Sequence, residues 1–174
     1  MIATPASLPT AAQLLDLERR ARQSGTGLDA DALAGTWQLQ VVWPKGTQRA
    51  AGFSSWLLRG LAARLEIGGD AHGLLLSNAV NLGSLELRFC GRGQLQGQRP
   101  LLLFSFDQLE LRLAGRLLVQ RSLSAPSPKR MPFFALIHRD GSGWLAARGR
   151  GGGLAVWSLA KGASVVANMG ATAP

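Results

Sequence analysis

The sequence predicts a mainly β domain: an antiparallel, up-and-down β-barrel with an N-terminal helix and a middle helix at the barrel rim. Three observations predict it. Between Gly73 and Leu159, apolar and polar residues alternate with period two in short runs. Gly, Asp, Asn or Pro punctuates most junctions between runs. The spacers are too short for βαβ crossovers, which need about a dozen residues. A sheet that wide must curl, split or close to hide its edges.

The elements follow in order. Residues 1–9, with Pro5 and Pro9, read as a flexible N-terminus, and residues 10–160 as one domain. Thr10 is placed to cap a helix over 11–24 that stops at Gly25 and Gly27. Leu14, Leu15, Leu17 and Ala21 give it an apolar stripe. Asp29 or Asp31 caps one short turn. Trp37, Leu39, Val41 and Trp43 then alternate with Thr36, Gln38, Gln40 and Val42, a half-buried strand ended by Pro44. Residues 53–66 return to helical spacing, with Ser54 or Ser55 as cap and Trp56, Leu57, Leu61 and Leu65 near one face.

Strands are expected at about 73–80, 84–90, 92–97, 100–106, 108–113, 116–122, 133–139, 143–148 and 153–159. Leu85, Leu87 and Phe89 alternate with Glu86 and Arg88, and Leu109, Leu111 and Leu113 with Glu110 and Arg112. That pattern gives a sheet one apolar and one charged face. The glycines of 91–97 read as a hairpin, 124–132 as a long loop and 161–174 as a C-terminal tail.

Composition excludes several classes. The chain has 174 residues, 47% of them hydrophobic and 17% charged. Disordered polyelectrolytes are poorer in apolar residues. A lone Cys90 excludes a disulfide framework and suits a reducing compartment. No apolar run approaches the ~20 residues of a spanning helix. The first ten residues lack the basic-then-apolar order of a secretory signal, and none is expected. Charge is uneven: residues 1–34 carry net −1 and residues 35–174 net +10. Such a body is drawn to polyanions, either nucleic acid or an anionic membrane face.

Catalytic constellations are missing. His72 and His138 have no metal-pair spacing and no hydrolase context. His138 beside Arg139 and Asp140 reads as a surface residue, and Cys90 as a small buried hydrophobe. Asp107 and Glu110, three apart, fall on opposite faces of a strand. The expectation is a non-enzymatic protein with no catalytic residue, no metal and no cofactor. Nucleic acid is disfavoured as a partner. Tyr is absent, and Phe89, Phe104 and Phe106 sit in the core-facing phase rather than on an outward stacking platform.

The stretch 143–159 is the most distinctive. It reads as a hairpin whose turn holds Gly149 and Gly151 to Gly153. Those amides with Arg148 and Arg150 form either an anion nest or a tight turn with solvated arginines. Gly143, Trp144 and Leu145, followed by Arg148, Gly149, Gly152, Leu154 and Val156, resemble the closing motifs of the plastid lipid-associated protein (fibrillin) family, in particular a cyanobacterial member. Leu33 to Leu39 behind an amphipathic helix resembles that family's first strand. The resemblance covers about 10–160. The acidic Tyr-Leu-Asp piece common between the two closing motifs is missing, and Arg150 replaces an acidic position.

The resemblance implies a lipocalin-like barrel, an isoprenoid ligand such as a carotenoid or quinone, and peripheral association with thylakoid membrane or lipid droplets on the cytoplasmic side. Barrels of eight or more strands have room for one small ligand. Its lining is expected from Trp37, Leu39, Val41, Leu85, Leu87, Phe89, Phe104, Phe106, Leu111 and Trp144, unless these simply pack a core. Trp56, Arg59, Arg64, Arg148 and Arg150 are the expected membrane or anion contacts, each nearby Arg adding about 1 kcal/mol. The 53–66 helix either lies on a bilayer or plugs the barrel. Two alternatives stand beside this reading. A bilin lyase or tetrapyrrole handler needs Arg88, Arg112 or Arg148 pointing inward. A scaffold for a prenyl-lipid enzyme needs a filled barrel and an exposed apolar patch.

Overall fold

The computed structural model describes residues 8–46, 64–70 and 73–160. Helix α1 (Ala11–Ser24) opens on a capping box: the Gln13 amide donates to Thr10 Oγ1 and the Thr10 amide to Gln13 Oε1 at 2.8 Å. It stops at Gly25, whose φ is +76°. A one-turn helix α2 (Ala30–Leu33) is capped by Asp29. Nine strands follow: β1 (Gly35–Trp43), β2 (Arg64–Asp70), β3 (Gly73–Leu82), β4 (Leu85–Gln96), β5 (Leu101–Leu113), β6 (Arg116–Ser122), β7 (Phe133–Arg139), β8 (Trp144–Gly149) and β9 (Leu154–Leu159).

All pairings are antiparallel, and the sheet closes on itself. β1 to β5 pair in chain order, β5 joins β7, β7 joins β8, β8 joins β9, and β9 returns to β1. The result is the barrel-like ring that short spacers and edge avoidance predict. β6 alone stands outside it. The long β5 carries β7 along its first residues and β6 along 108–113 on the same edge. The far halves of β3, β4 and β5 therefore run past the ring with β6 as a flap. At its tip the Ala114 amide bonds the Ser84 carbonyl, joining the two hairpin turns.

Two apolar layers hold the fold. The inner one fills the ring with Leu33, Trp37, Leu65, Ile67, Leu74, Leu76, Leu102, Phe104, Leu136, Leu145, Ala147 and Trp157. The outer one clamps α1 onto the sheet: Ala11 and Leu14 pack on Trp43, Ile137, Trp144, Ala146, Leu154 and Val156. Full burial of each large side chain stabilises by roughly 1.5–3 kcal/mol before entropy is charged.

Several expectations need correction. Residues 64–66, assigned to the middle helix, are the start of β2, which the sequence reading missed. Residues 53–63 lie outside the described residues. The glycines of 91–97 make no hairpin: β4 runs through them. At Gly91 a Cβ would sit 1.9 Å from the Ser105 carbonyl oxygen, and at Gly93 2.5 Å from Leu76 Cδ1. Glycine is demanded there because two strands bend closely together, with a bulge between Cys90 and Gly91. Likewise 100–106 and 108–113 are one strand, β5, with Asp107 as the extra, unpaired residue of that bulge. The buried face of α1 is Ala11, Leu14, Glu18 and Ala21 rather than one including Leu15, which is exposed.

Candidate functional site

Cross-strand register decides which face each residue takes. Leu85, Leu87, Phe89, Gly91, Gly93 and Leu95 of β4 stand opposite Leu113, Leu111, Leu109, Phe106, Phe104 and Leu102 of β5. This row continues the inner face. Eight of the ten expected lining residues lie on it: Trp37, Leu39, Leu85, Leu87, Phe89, Phe104, Phe106 and Leu111. Val41 and Trp144 do not. A bulge between Leu39 and Val41 reverses the phase of β1, and both side chains join the layer under α1.

The inside of the ring is filled. Phe104 stacks on Phe134 with centroids 5.2 Å apart, Phe134 meets Trp157 edge-on at 5.3 Å, and Phe106 bridges Phe104 and Phe89. A void of about 20 Å³ lies between Leu65, Asn78, Phe104, Phe106, Phe134 and Trp157. A larger groove, about 770 Å³, opens at the α2 end of the ring. Leu74, Leu95, Leu103, Phe104 and Met131 supply its apolar wall. Gly69, Gly73 and Gly93 bare its backbone, and Asp31, Arg92 and Gln94 add polar groups. That volume lies within the range of small-molecule sites.

The opposite end of the molecule is the flap. Its inner face continues the apolar row outward to Leu82, Leu113 and Val119; Leu117 stands opposite Arg112 on the charged face, and Leu118 is the extra residue of a bulge in β6. Leu82 is 56% exposed and Leu118 54%; Leu113, Leu117 and Val119 are similarly open. Arg116 and Arg121 sit at the two ends of β6, exposed and without an ion pair among the described residues.

Several other arginines are engaged. On the outer face of β2 to β4, Arg64 pairs with Glu66 at 3.0 Å and Glu86 at 2.6 Å, and Arg88 with the same carboxylates at 2.7 and 3.0 Å. Ser77 Oγ donates to Glu66 at 2.8 Å. Burial pushes the Glu66 and Glu86 carboxyls up, but the arginines outweigh it and hold both below the ordinary range. Arg112 pairs with Glu110 at 2.8 Å. Arg148 binds Glu18 of α1 at 2.5 Å and donates to the Gly152 carbonyl. Arg88, Arg112 and Arg148 thus face outward, away from the position that a tetrapyrrole reading requires.

Of the expected anion contacts, Arg64 and Arg148 are in these ion pairs. Arg150 donates to the carbonyls of Lys129, at 2.7 Å, and Met131. The Gly149 and Gly152 amides bond within their own turn, so the turn is tight, but its two arginines are bonded to Glu18 and to backbone carbonyls rather than solvated. Trp56 and Arg59 lie outside the described residues. Arg139 enters the inner face, its guanidinium 5.8 Å from the Trp37 ring.

Among the described residues no catalytic grouping assembles from the candidates, and His72 lies outside them. His138 meets Asp140 only at 3.8 Å and leans on the Trp144 ring. Burial pushes the Cys90 thiol up to about 11. Among the described residues no cluster of three or more metal-ligating side chains occurs. The missed residue is Glu18, 3% exposed with three arginine partners. Its signal was a carboxylate in the buried phase of an amphipathic helix. Comparison with known proteins yields no matching family model, no matching curated protein and no matching solved structure.

Proposed function

We propose that this is a non-enzymatic protein that sits peripherally on an anionic lipid surface and holds a small apolar ligand. The observation that carries the reading is the flap: five exposed aliphatic side chains, with Arg116 at its tip and Arg121 at the other end of β6, and neither arginine has a protein counter-charge among the described residues. Exposed apolar surface of that kind marks an interaction surface. Nearby arginines select a negative one, and the chain's net charge of +9 acts the same way. The groove at the α2 end has room for the ligand. The resemblance of the 143–156 motifs to fibrillins supports an isoprenoid ligand and a photosynthetic membrane as the surface.

The test is vesicle flotation. The protein should float with phosphatidylglycerol vesicles at low salt, much less with phosphatidylcholine, and lose binding when Leu117 and Leu118 become Asp. Protein passed over a quinone- and carotenoid-containing extract should retain one of these through gel filtration. Absence of both flotation and retained isoprenoid overturns the proposal.

A second reading has a specific observation in its favour. A ring packed with large apolar and aromatic side chains, with exposed apolar residues outside it, also suits a scaffold that docks a prenyl-lipid enzyme. In that case flotation fails while the Leu117/Leu118 variant loses a protein partner.

A further inference from the structure

The void inside the ring is not lined by hydrocarbon alone. Trp157, on β9, is 2% exposed, and its Nε1 has no hydrogen-bond partner. Asn78, on β3, turns its Oδ1 into the protein, also without a partner. Both side chains wall the same void. The contrast with the other fully buried tryptophan is direct: Trp37 Nε1 donates to the Leu33 carbonyl at 2.8 Å. The contrast along β3 is as clear, since Leu74 and Leu76 take the inward phase before Asn78.

An indole nitrogen only donates, and an amide oxygen only accepts. Folded proteins rarely strand either group, because each buried unsatisfied partner costs about 1–3 kcal/mol. One atom that serves both must accept a hydrogen bond and donate another. Carboxylate and ketone oxygens only accept, and an ammonium only donates. A charged group would also enter a wall of Phe104, Phe106, Phe134 and Leu65 that holds no counter-charge. A volume of about 20 Å³ admits a single oxygen-sized group.

We infer that this void is a hydroxyl site: one oxygen accepts from Trp157 Nε1–H and donates to Asn78 Oδ1. Two sources carry that chemistry. One is an internal water. The other is the hydroxyl end of an apolar alcohol lying in the groove, because Phe104 lines both spaces. The second source rests on the ligand-binding reading above; the site itself does not.

The experiment reads the Trp157 indole N–H by nitrogen-15 NMR, assigned with Trp157→Phe. In the protein as purified, this proton should show a cross-relaxation contact to a long-lived water, lost in Asn78→Leu. 1-Octanol should replace that contact and shift the resonance if the groove leads to the site, with at least tenfold preference over octane. Asn78→Leu should cut that preference below twofold. A water contact that neither octanol nor octane disturbs keeps the site and removes the groove as its route. The inference is overturned if the indole proton contacts no water and octanol has no advantage over octane. It also fails if Asn78→Leu, folded by its spectrum, leaves the indole resonance unmoved.

Discussion

Replacing Glu18 with Gln tests how α1 is held to the sheet. The carboxylate is buried and binds Arg148 at 2.5 Å, Arg99 at 2.7 Å and Arg22 at 3.1 Å. Arg148 is the main cause that pulls its pKa down to about 2, against burial. A carboxyl held that far below its unfolded value contributes about 3 kcal/mol at neutral pH. Removing one partner of a buried pair costs about 3–5 kcal/mol. Arg148 and Arg99 keep 24% and 21% of their side chains in water, which lowers the figure. Arg22 is mostly exposed and adds little.

The expected loss is therefore about 2–3 kcal/mol at pH 7, or roughly 5–10 °C in melting temperature. The folded pKa lies below the unfolded one. The stabilisation is thus complete above about pH 4.5 and fades as pH falls toward 2. Gln cannot titrate, so the gap between the two proteins should narrow over that window. Urea titrations of both at several pH values supply the measurement. A gap under about 0.5 kcal/mol at pH 7, or one equally wide at pH 7 and pH 3, refutes the reasoning.

Three further outcomes are expected. Ala114 holds φ +47° ahead of Gly115 at +80° in a two-residue hairpin turn, a conformation that suits Asn-Gly; Ala114→Asn should raise stability by about 0.5–1 kcal/mol in thermal unfolding. Gly91→Ala drives a methyl into the Ser105 carbonyl and should cost more than about 3 kcal/mol, or leave no folded protein by circular dichroism. The Cys90 thiol, buried and raised to about 11, should resist a disulfide-exchange reagent at pH 8 until urea unfolds the protein.

How far the sequence reveals these features depends on how local their causes are. The α1 cap, the first strand and most hairpin turns follow from neighbouring residues, and the structure has them. The joined strands β4 and β5 were hidden because Gly91, Gly93 and Asp107 look like breaks. Their role appears only when Ser105 and Leu76 are brought against them. β2 was hidden by the helical spacing running up to it. Strand β8 has Trp144, Leu145, Ala146 and Ala147 all buried, so no alternation marks which face is inside. Val41 was displaced by a one-residue slip. Glu18 meets Arg99 and Arg148 from 81 and 130 positions away, too far for any spacing rule to reveal. The hydroxyl site similarly depends on Asn78 and Trp157 meeting across the ring.

The seam between β1 and β9 has a bearing on synthesis. Gln40 bonds Ser158 across 118 positions, so the first strand waits for the last before that edge is satisfied. At about 5–20 residues per second, a nascent chain carries an open edge for roughly 6–24 s. Translation speed and holding chaperones thus enter the yield of this protein before its thermodynamic stability does.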